Sequence, residues 1–460
     1  MKTFNKLILS IALLMCIQNV NAQTTVPQVI NSSQTWTPSG SPYIVDQNIL
    51  VKGGSTVKVM PGTKIRGTGN FRIILESGAG FEAVGTKDSV IAIDTVNFEF
   101  LKGSIGHNFT SGGGSVFSYC FFRGTGMGGV QTITLAETPL LISNCRFWNT
   151  YYTIYGINAN TTAVKVRIEK SIFEGLKFNY GYVIYAMGSK SELEMDECVV
   201  KTMYGLYLAN TSTITKSLFY DIYSSISVIG SKKVVFKCNT FRKFKYSILD
   251  ISSTNPAISE IVIVSNTFDS AENHIDYKVF SNSLSKLVCK NNNFLKFNKN
   301  SIILSGGSKP GFADTLVFTK NYWGTTSTAQ IAKGILDIKD DITIAGLVDF
   351  ANYHSAMVSN CIEDESEEAF VGESAKVKNI APSDFHVFPN PARDFIAIES
   401  NIPDLQYWRI YTVSGQMMAQ GELSKSTSLI NISNIPNGLY FLSVGNGERY
   451  SDMQKIVVNK

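Results

Sequence analysis

Charged residues and long apolar runs are both scarce in this chain of 460 residues. Asp, Glu, Lys and Arg make up only 17% of it, and the formal net charge is +4. The Lys and Arg residues are scattered, so no basic stripe predicts a nucleic-acid partner. After residue 22, no apolar stretch approaches the roughly 20 residues that a membrane-spanning helix needs. We therefore expect no membrane span in the mature chain.

Residues suited to metal binding or nucleophilic catalysis are also few. The chain has only four His residues, and their spacing does not suggest a common site. The seven Cys residues form no CxxC motif, and no GxSxG element is present. The sequence therefore predicts no metal, no cofactor and no catalytic residue. The four histidines are His107, His274, His354 and His386.

The N-terminus has the three parts of a secretory signal peptide. Lys2 and Lys6 precede an apolar run at 7–17, and the small residues Val20 and Ala22 stand at positions −3 and −1 of the predicted cleavage site. A basic start, a short apolar run and small residues at −3 and −1 are typical of a cleaved leader. We predict that residues 1–22 are removed and that the mature chain is secreted.

A short pattern recurs through the middle of the chain. IVIVSNTFDSA at 261–271 resembles LLISNCRFWNT at 140–150 and STITKSLFYDI at 212–222. Each copy has an apolar run, a small or amide residue and, two positions later, an aromatic residue. The copies return at intervals of roughly 20–30 residues, which is typical of a solenoid. Because they are rich in β-formers, we predict an all-β fold in which each copy is one coil of a right-handed parallel β-helix.

The position two residues before the aromatic is the second regular feature of the repeat. In the later coils it is always Asn, and stacked Asn amides each donate to one neighbour and accept from the other. We expect a structural ladder of Asn239, Asn266, Asn292 and Asn321. In the first coils this position is Cys or Ser. Cys120 and Cys145 would lie one coil apart, either as buried free thiols or as a disulfide.

A second strand in each coil predicts a row of tyrosines on the surface. The segments YTIYGI, YVIYAM and YGLYLA place Ile154, Ile184 and Leu206 inward, so the residues that follow them point outward. Ile226 and Ile248 are expected to continue the inward row. The outward residues would present flat aromatic surfaces that suit stacking on sugar rings. They are Tyr155, Tyr185 and Tyr207, our candidate ligand-binding residues.

Acidic residues on one strand face give an alternative site. Glu194 and Asp196 share a face, and Glu169 lies at the equivalent position of Asp196 one coil earlier. Such carboxylates are candidates for acid–base chemistry on a polysaccharide. A solvated strand face beside Lys170 and Lys201 is the other interpretation.

Two parts of the sequence resemble the ends of known β-helices. The segment PYIVDQNILVKGGSTVKVMPGTKIRG, with GAGFEAVGTKDSVIAI, resembles the opening coils of secreted right-handed parallel β-helix proteins of Bacteroidetes. NYWGTT at 321–326, with the residues that follow, resembles their closing segment. The resemblance covers about 27–355 and implies an architecture without one shared activity. Many secreted β-helices are polysaccharide lyases or hydrolases, but the NTD, HG and RIK elements of the galacturonan hydrolases are absent.

The last part of the chain resembles a type A sorting domain of the type IX secretion system. It has the FPNP motif with Pro389, Asn390 and Pro391, then SG with Gly415, and finally PNGLY with Gly438 and Tyr440. The turns and alternating strands themselves predict a small β-sandwich. The resemblance implies export across the outer membrane by the type IX machinery, and then release or attachment to the cell surface.

These observations give a domain map and two functional hypotheses. The mature chain begins with a cap and first coils at 23–110, followed by the main β-helix at 111–355. An acidic linker occupies 356–383, and the sorting domain occupies 384–460. The first hypothesis is a non-catalytic module, on the surface or secreted, that contacts a polysaccharide or another surface polymer. The alternative is a polysaccharide lyase or glycoside hydrolase of the pectin-degrading type.

Overall fold

Coil after coil of the chain stacks through parallel strand pairs, from Thr24 to Leu336. This computed structural model confirms the predicted all-β solenoid. The strands form three parallel sheets, here named A, B and C in the order in which each coil visits them. The structure describes residues 23–125, 131–150, 152–158, 163–175, 181–230, 233–253, 260–279, 286–305, 315–344, 346–359, 361, 385–400, 407–412, 417–423, 427–445 and 454–460.

Sheet A carries the aromatic column predicted from the repeat. Phe147 pairs with Phe122 and Phe173, and its ring stacks on theirs with centroids 4.5 and 4.9 Å apart. Val200 takes the aromatic position in the following coil. All four side chains are buried, so the column forms part of the core. The strands of sheet A are Thr24–Thr25, Tyr43–Val45, Cys120–Arg123, Arg146–Trp148, Ile172–Glu174, Val199–Lys201, Leu218–Ile222, Thr240–Phe244, Thr267–Asp269 and Asn293–Phe294.

Sheet B carries the inward aliphatic row, with one correction. Ile154, Ile184, Leu206 and Ile226 are register partners in successive coils and are fully buried. The next partner is Leu249, not Ile248 as we predicted, because the strand of that coil begins one residue later. The strands of sheet B are Val29–Ile30, Ile49–Val51, Ile133–Ala136, Ile154–Asn158, Ile226–Ile229, Leu249–Ser253, Ala271–Val279, Phe297–Ser305 and Ile335–Leu336.

Sheet C closes each coil, and a few long strands bend from one sheet into the next. Sheet C contains Gln34–Trp36, Thr56–Val59, Gly80–Val84, Val116–Ser118, Leu140–Ser143, Val164–Glu169, Lys233–Lys237, Glu260–Val264 and Lys286–Lys290. Lys64–Leu75 and Ile91–Phe100 each serve sheets A and B. Ile184–Asp196 and Leu206–Thr215 each serve sheets B and C.

The turn from sheet C to sheet A has the same conformation in coil after coil. The residue before each ladder position has a positive φ although it is not Gly, as at Lys216 (46°), Ser265 (58°) and Lys320 (57°). A left-handed conformation costs a non-Gly residue about 1 kcal/mol or more. The ladder residue that follows supplies hydrogen bonds inside the turn, and these offset that cost.

The ladder itself is a chain of amide hydrogen bonds along the stack. The backbone N–H and the Nδ2 of Asn239 both donate to Oδ1 of Asn266, at 2.8 and 3.0 Å. Asn266 donates to Asn292 in the same way, and Asn292 donates to Asn321. All four residues have no exposed surface. Buried amides that satisfy one another in this way fix the register of neighbouring coils.

The end of the solenoid is covered by a short helix, a small sheet and a strap. The helix is Thr328–Lys333, and Thr315–Val317 pairs with Leu347–Asp349. Residues 352–359 together with Cys361, here called the strap, then run back across the coils. His354 N–H donates to Asn321 O, and the Val358 backbone exchanges two hydrogen bonds with the side chain of Asn293. A disulfide between Cys361 and Cys238 ends the strap.

The C-terminal domain consists of two antiparallel sheets around their own core, in agreement with the predicted small sandwich. The core includes Phe385, Ile396, Ile410, Leu442 and Ile456. One sheet contains Phe385–Phe388, Phe395–Ser400 and Thr427–Asn431. The other contains Tyr407–Thr412, Met417–Glu422, Gly438–Gly445 and Gln454–Val458. A helical turn, Pro38–Gly40, lies in the first coils of the solenoid.

Candidate functional site

The three tyrosines predicted to form a column do stand in successive coils of sheet B. Tyr155 pairs with Tyr185, and Tyr185 pairs with Tyr207. The ring centroids of Tyr155 and Tyr185 are 5.0 Å apart with 12° between the planes. Those of Tyr185 and Tyr207 are 4.5 Å apart with 15° between the planes. All three side chains are half-buried.

This stacking changes the contact that the column can make. Because Tyr185 is covered on one face by Tyr155 and on the other by Tyr207, neither of its faces can stack on a sugar. The rings meet solvent with their edges and hydroxyl groups instead. Our expectation of flat aromatic faces therefore does not fit Tyr185. What the column can offer is a row of hydrogen-bonding hydroxyls spaced by one coil.

A second row of tyrosines, which we did not predict, lies beside the first. Tyr182 bridges the rows, with its ring centroid 5.9 Å from Tyr185 and 5.7 Å from Tyr207. The row continues with Tyr204, whose ring centroid is 5.2 Å from that of Tyr182. Tyr223 follows, with its centroid 6.0 Å from that of Tyr204. The row ends at Tyr246, whose centroid is 6.1 Å from that of Tyr223. We call the two rows together the tyrosine surface: Tyr155, Tyr185, Tyr207, Tyr182, Tyr204, Tyr223 and Tyr246.

The hydroxyls of Tyr182 and Tyr185 stay protonated at neutral pH. Partial burial, together with neighbouring phenols, raises the pKa of Tyr185 above its usual value. Burial and the neighbouring Tyr204 likewise raise the pKa of Tyr182. A protonated phenol both donates and accepts hydrogen bonds, which is the pattern that sugar hydroxyls complement.

The acidic residues of the alternative site come together on sheet C, and one of them, Glu194, is engaged with two cations. Asp196 is the register partner of Glu169, as the repeat predicts. Glu194 accepts hydrogen bonds from Lys165 and from Arg167 Nε, the latter at 2.8 Å. Burial alone would raise the pKa of Glu194, but these two cations outweigh it and hold the pKa below its usual value. A carboxylate kept ionised in this way is a poor proton donor.

Sheet B holds another carboxylate pair, which sequence reasoning missed. Asp250 and Asp276 are register partners in the outward row that follows Tyr207 and Ser227. Lys278 Nζ donates to both oxygens of Asp250 at 2.9 and 3.0 Å. Burial raises the pKa of Asp276. The signal was present in the sequence, since LDI and IDY place each Asp one residue after an inward aliphatic.

The cysteines divide into two groups. Cys120 and Cys145 are buried free thiols in neighbouring coils, and Cys198 and Cys289 are also buried and free. Burial raises the pKa of Cys198 to about 12, so its thiol is unreactive at neutral pH. Among the described residues, no group of three or more His, Cys, Asp or Glu side chains is arranged to hold a metal ion.

The sorting-domain motif lies where the turn after the first strand of that domain meets its last strand. The side chain of Asn390, between Pro389 and Pro391, donates to Lys455 O and accepts from Val457 N–H, both at 2.8 Å. Gly438 begins the strand Gly438–Gly445, and Tyr440 Oη donates to Pro436 O. Gly415 lies outside the described residues, as do the predicted signal peptide and residues 362–383 of the predicted linker.

Comparison with known proteins identifies the C-terminal part of the chain. Residues 386–459 match the family described as a secretion system C-terminal sorting domain. The chain therefore carries a type IX sorting tail, and the protein is secreted or displayed on the cell surface. In the part that the structure describes, no helix has the length and apolar character needed to cross a membrane.

The solenoid resembles solved β-helix proteins only distantly. One is the tailspike protein of E. coli bacteriophage HK620, a double mutant, at 11% identity and a TM-score of 0.35, covering 90% of this chain and 86% of that one. Another is a periplasmic alginate epimerase, at 13% identity and a TM-score of 0.31, covering 74% of this chain and 87% of that one. No curated protein matches the sequence.

Proposed function

We propose that this protein is a non-catalytic module, exported by the type IX machinery, that binds a polysaccharide along its tyrosine surface. The observation that carries the proposal is the continuity of that surface. Seven tyrosine rings in five coils contact one another without interruption, from Tyr155 to Tyr246. A folded protein seldom exposes such a cluster without a binding role.

The geometry favours an extended polymer over a small ligand. Tyr155, Tyr185 and Tyr207 repeat at the spacing of the coils, about 4.8 Å. A polymer lying along the stack would meet an equivalent hydroxyl at each coil. Tyr rings that pack against one another also lose little conformational entropy when a ligand binds. Polymer alignment along the solenoid axis is therefore the arrangement we propose.

The test is a polysaccharide screen of the secreted protein that reads binding and product release together. We expect binding without reducing-end or unsaturated products. The Tyr155→Ala, Tyr185→Ala, Tyr207→Ala triple variant should lose binding while its thermal unfolding midpoint stays close to that of the wild type. Tyr220→Ala is the matched control, because Tyr220 is 37% exposed but lies on sheet A. Undiminished binding by the triple variant would refute the proposal.

A glycoside hydrolase or polysaccharide lyase is the second candidate. The pair Asp250 and Asp276 favours it, since neighbouring carboxyls in unlike environments are the usual acid–base arrangement. In that case product release would be measurable and Asp276→Asn would abolish it. If the sheet C carboxylates act instead, the Ala variants of Glu169, Glu194 and Asp196 would lose turnover.

A further inference from the structure

The second row of the tyrosine surface ends in a cation held by two aromatic rings. Lys245 Nζ lies 2.9 Å from Tyr223 Oη and 4.0 Å from the centroid of the Tyr223 ring. It also lies 5.3 Å from the ring centroid of Tyr246. An ammonium over an aromatic face is attracted by the ring quadrupole. The charge of Lys245 is thereby fixed at one end of the surface.

No carboxylate neutralises this cation within the part of the chain that the structure describes. Other lysines nearby are paired: Lys243 Nζ lies 3.1 Å from Asp221, and Lys278 Nζ lies 2.9 Å from Asp250. Lys245 is exposed and makes no ion pair within 4 Å among those residues. Its charge is available to a ligand that lies on the adjacent tyrosines.

We propose that the polymer bound on the tyrosine surface is an acidic polysaccharide, with one of its anionic groups paired to Lys245. This inference rests on the proposed function and adds the charge class of the ligand to it. Tyr223 and Tyr246 already restrict the side chain of Lys245. An anion can therefore form a charge-assisted hydrogen bond with it at little further cost in side-chain entropy. The tyrosine hydroxyls of the surface are further donors for carboxylate oxygens.

Two carboxylates on sheet B, Asp250 and Asp276, determine which row of tyrosines the bound polymer follows. The outward row that begins with Tyr155, Tyr185 and Tyr207 continues to Asp250 and Asp276, and one lysine serves both carboxylates. A polyanion is repelled from that end. It therefore leaves the first row at Tyr207 and follows the second row to Lys245.

Polygalacturonate and its methyl-esterified form test this inference, because they share a backbone and differ in charge. We expect the full secreted chain to bind polygalacturonate about tenfold more tightly, as one charge-assisted hydrogen bond implies. Lys245→Gln should abolish that difference and Lys245→Arg should retain it. The hydrogen bond with Tyr223 raises the pKa of Lys245, so the ammonium stays charged throughout neutral pH. Lys333→Gln, at an exposed lysine of the helix Thr328–Lys333, is the matched control.

The outcomes separate this inference from the proposed function. Equal affinity for the two polymers, or an unchanged preference in Lys245→Gln, would overturn the acidic specificity and leave polysaccharide binding intact. Binding of neither polymer, with the tyrosine triple variant indistinguishable from wild type in the wider screen, would overturn both.

Discussion

The rings of Tyr185 and Tyr207 stack 4.5 Å apart across neighbouring coils of sheet B. Because the chain returns to the same place on sheet B once per coil, similar residues in the repeat become neighbours in space. The same rule that builds the buried Asn ladder thus builds an exposed tyrosine surface. One supports the fold, and we propose that the other holds the ligand.

Removing the hydroxyls while keeping the rings tests how the surface works. We predict that Tyr155→Phe, Tyr185→Phe and Tyr207→Phe together preserve stacking and stability but weaken polysaccharide binding roughly a hundredfold. The reason is the loss of three hydrogen bonds, each worth about 1 kcal/mol. Isothermal titration with the bound polysaccharide measures the change. Unaltered affinity would mean that the ring edges alone make the contact.

Breaking the Asn ladder should destabilise the solenoid. Asn266→Ala leaves the buried N–H of Asn239 and the carbonyl of Phe236 without their partners, at a cost of roughly 3 kcal/mol in unfolding free energy. Asn266→Ser should cost less, because Ser217 already accepts from Cys198 N–H at the same position of an earlier coil. Chemical denaturation compares the variants. Equal losses for Ala and Ser would contradict the hydrogen-bond explanation.

His274 should make the solenoid sensitive to mild acid. It is fully buried, with Nδ1 3.0 Å from Ser301 Oγ and Nε2 2.9 Å from Lys296 O, and burial lowers its pKa to about 4. Between pH 6.5 and 4 the unfolded chain binds a proton that the folded chain does not. Stability is therefore fully present above pH 6.5 and falls by about 3 kcal/mol as the pH drops to 4.

Unfolding midpoints measured across that pH range test this prediction. The variant His274→Gln serves as the comparison, because it removes the titrating group from the same site. Its pH dependence should be shallower than that of the wild type. Parallel curves for the two proteins would assign the acid sensitivity to other groups.

The strap should respond to reduction while the other cysteines do not. In the folded secreted protein, reductant followed by a maleimide should label the exposed Cys361 and spare the four buried free thiols. Cys361→Ser should lower the unfolding free energy by about 2–4 kcal/mol. Mass spectrometry counts the labels, and thermal unfolding measures the loss. Labelling of Cys289 before Cys361 would contradict the assignment.

The repeat made most of the solenoid predictable, because identical positions in a stack must pair. The aromatic column through Phe147 and the pairing of Glu169 with Asp196 follow from counting residues. The Leu249 register does not, since the strand starts one residue later than in the preceding coils. The Cys238–Cys361 disulfide joins two residues that are 123 positions apart in the sequence. Because Cys361 lies outside the repeat, the period of the repeat does not predict this pairing.

The candidate site was only half predictable for a related reason. Tyr155, Tyr185 and Tyr207 each follow an inward residue of a strand, and alternation alone turns them outward. The second row lies in the turns before those strands, where the residue count varies from coil to coil and hides the alignment. The contact of Glu194 with Arg167, by contrast, follows from the same residue count as the pairing of Glu169 with Asp196, because Arg167 and Glu194 are register partners in neighbouring coils.

Hydroxyl-radical footprinting of the tyrosines, with and without the polysaccharide found in the screen, tests the central claim most directly. The account predicts slower oxidation of the tyrosine surface in the complex, with Tyr220 on sheet A unchanged. Protection confined to other residues, or none despite measurable binding, would show that the ligand lies elsewhere and would contradict the account.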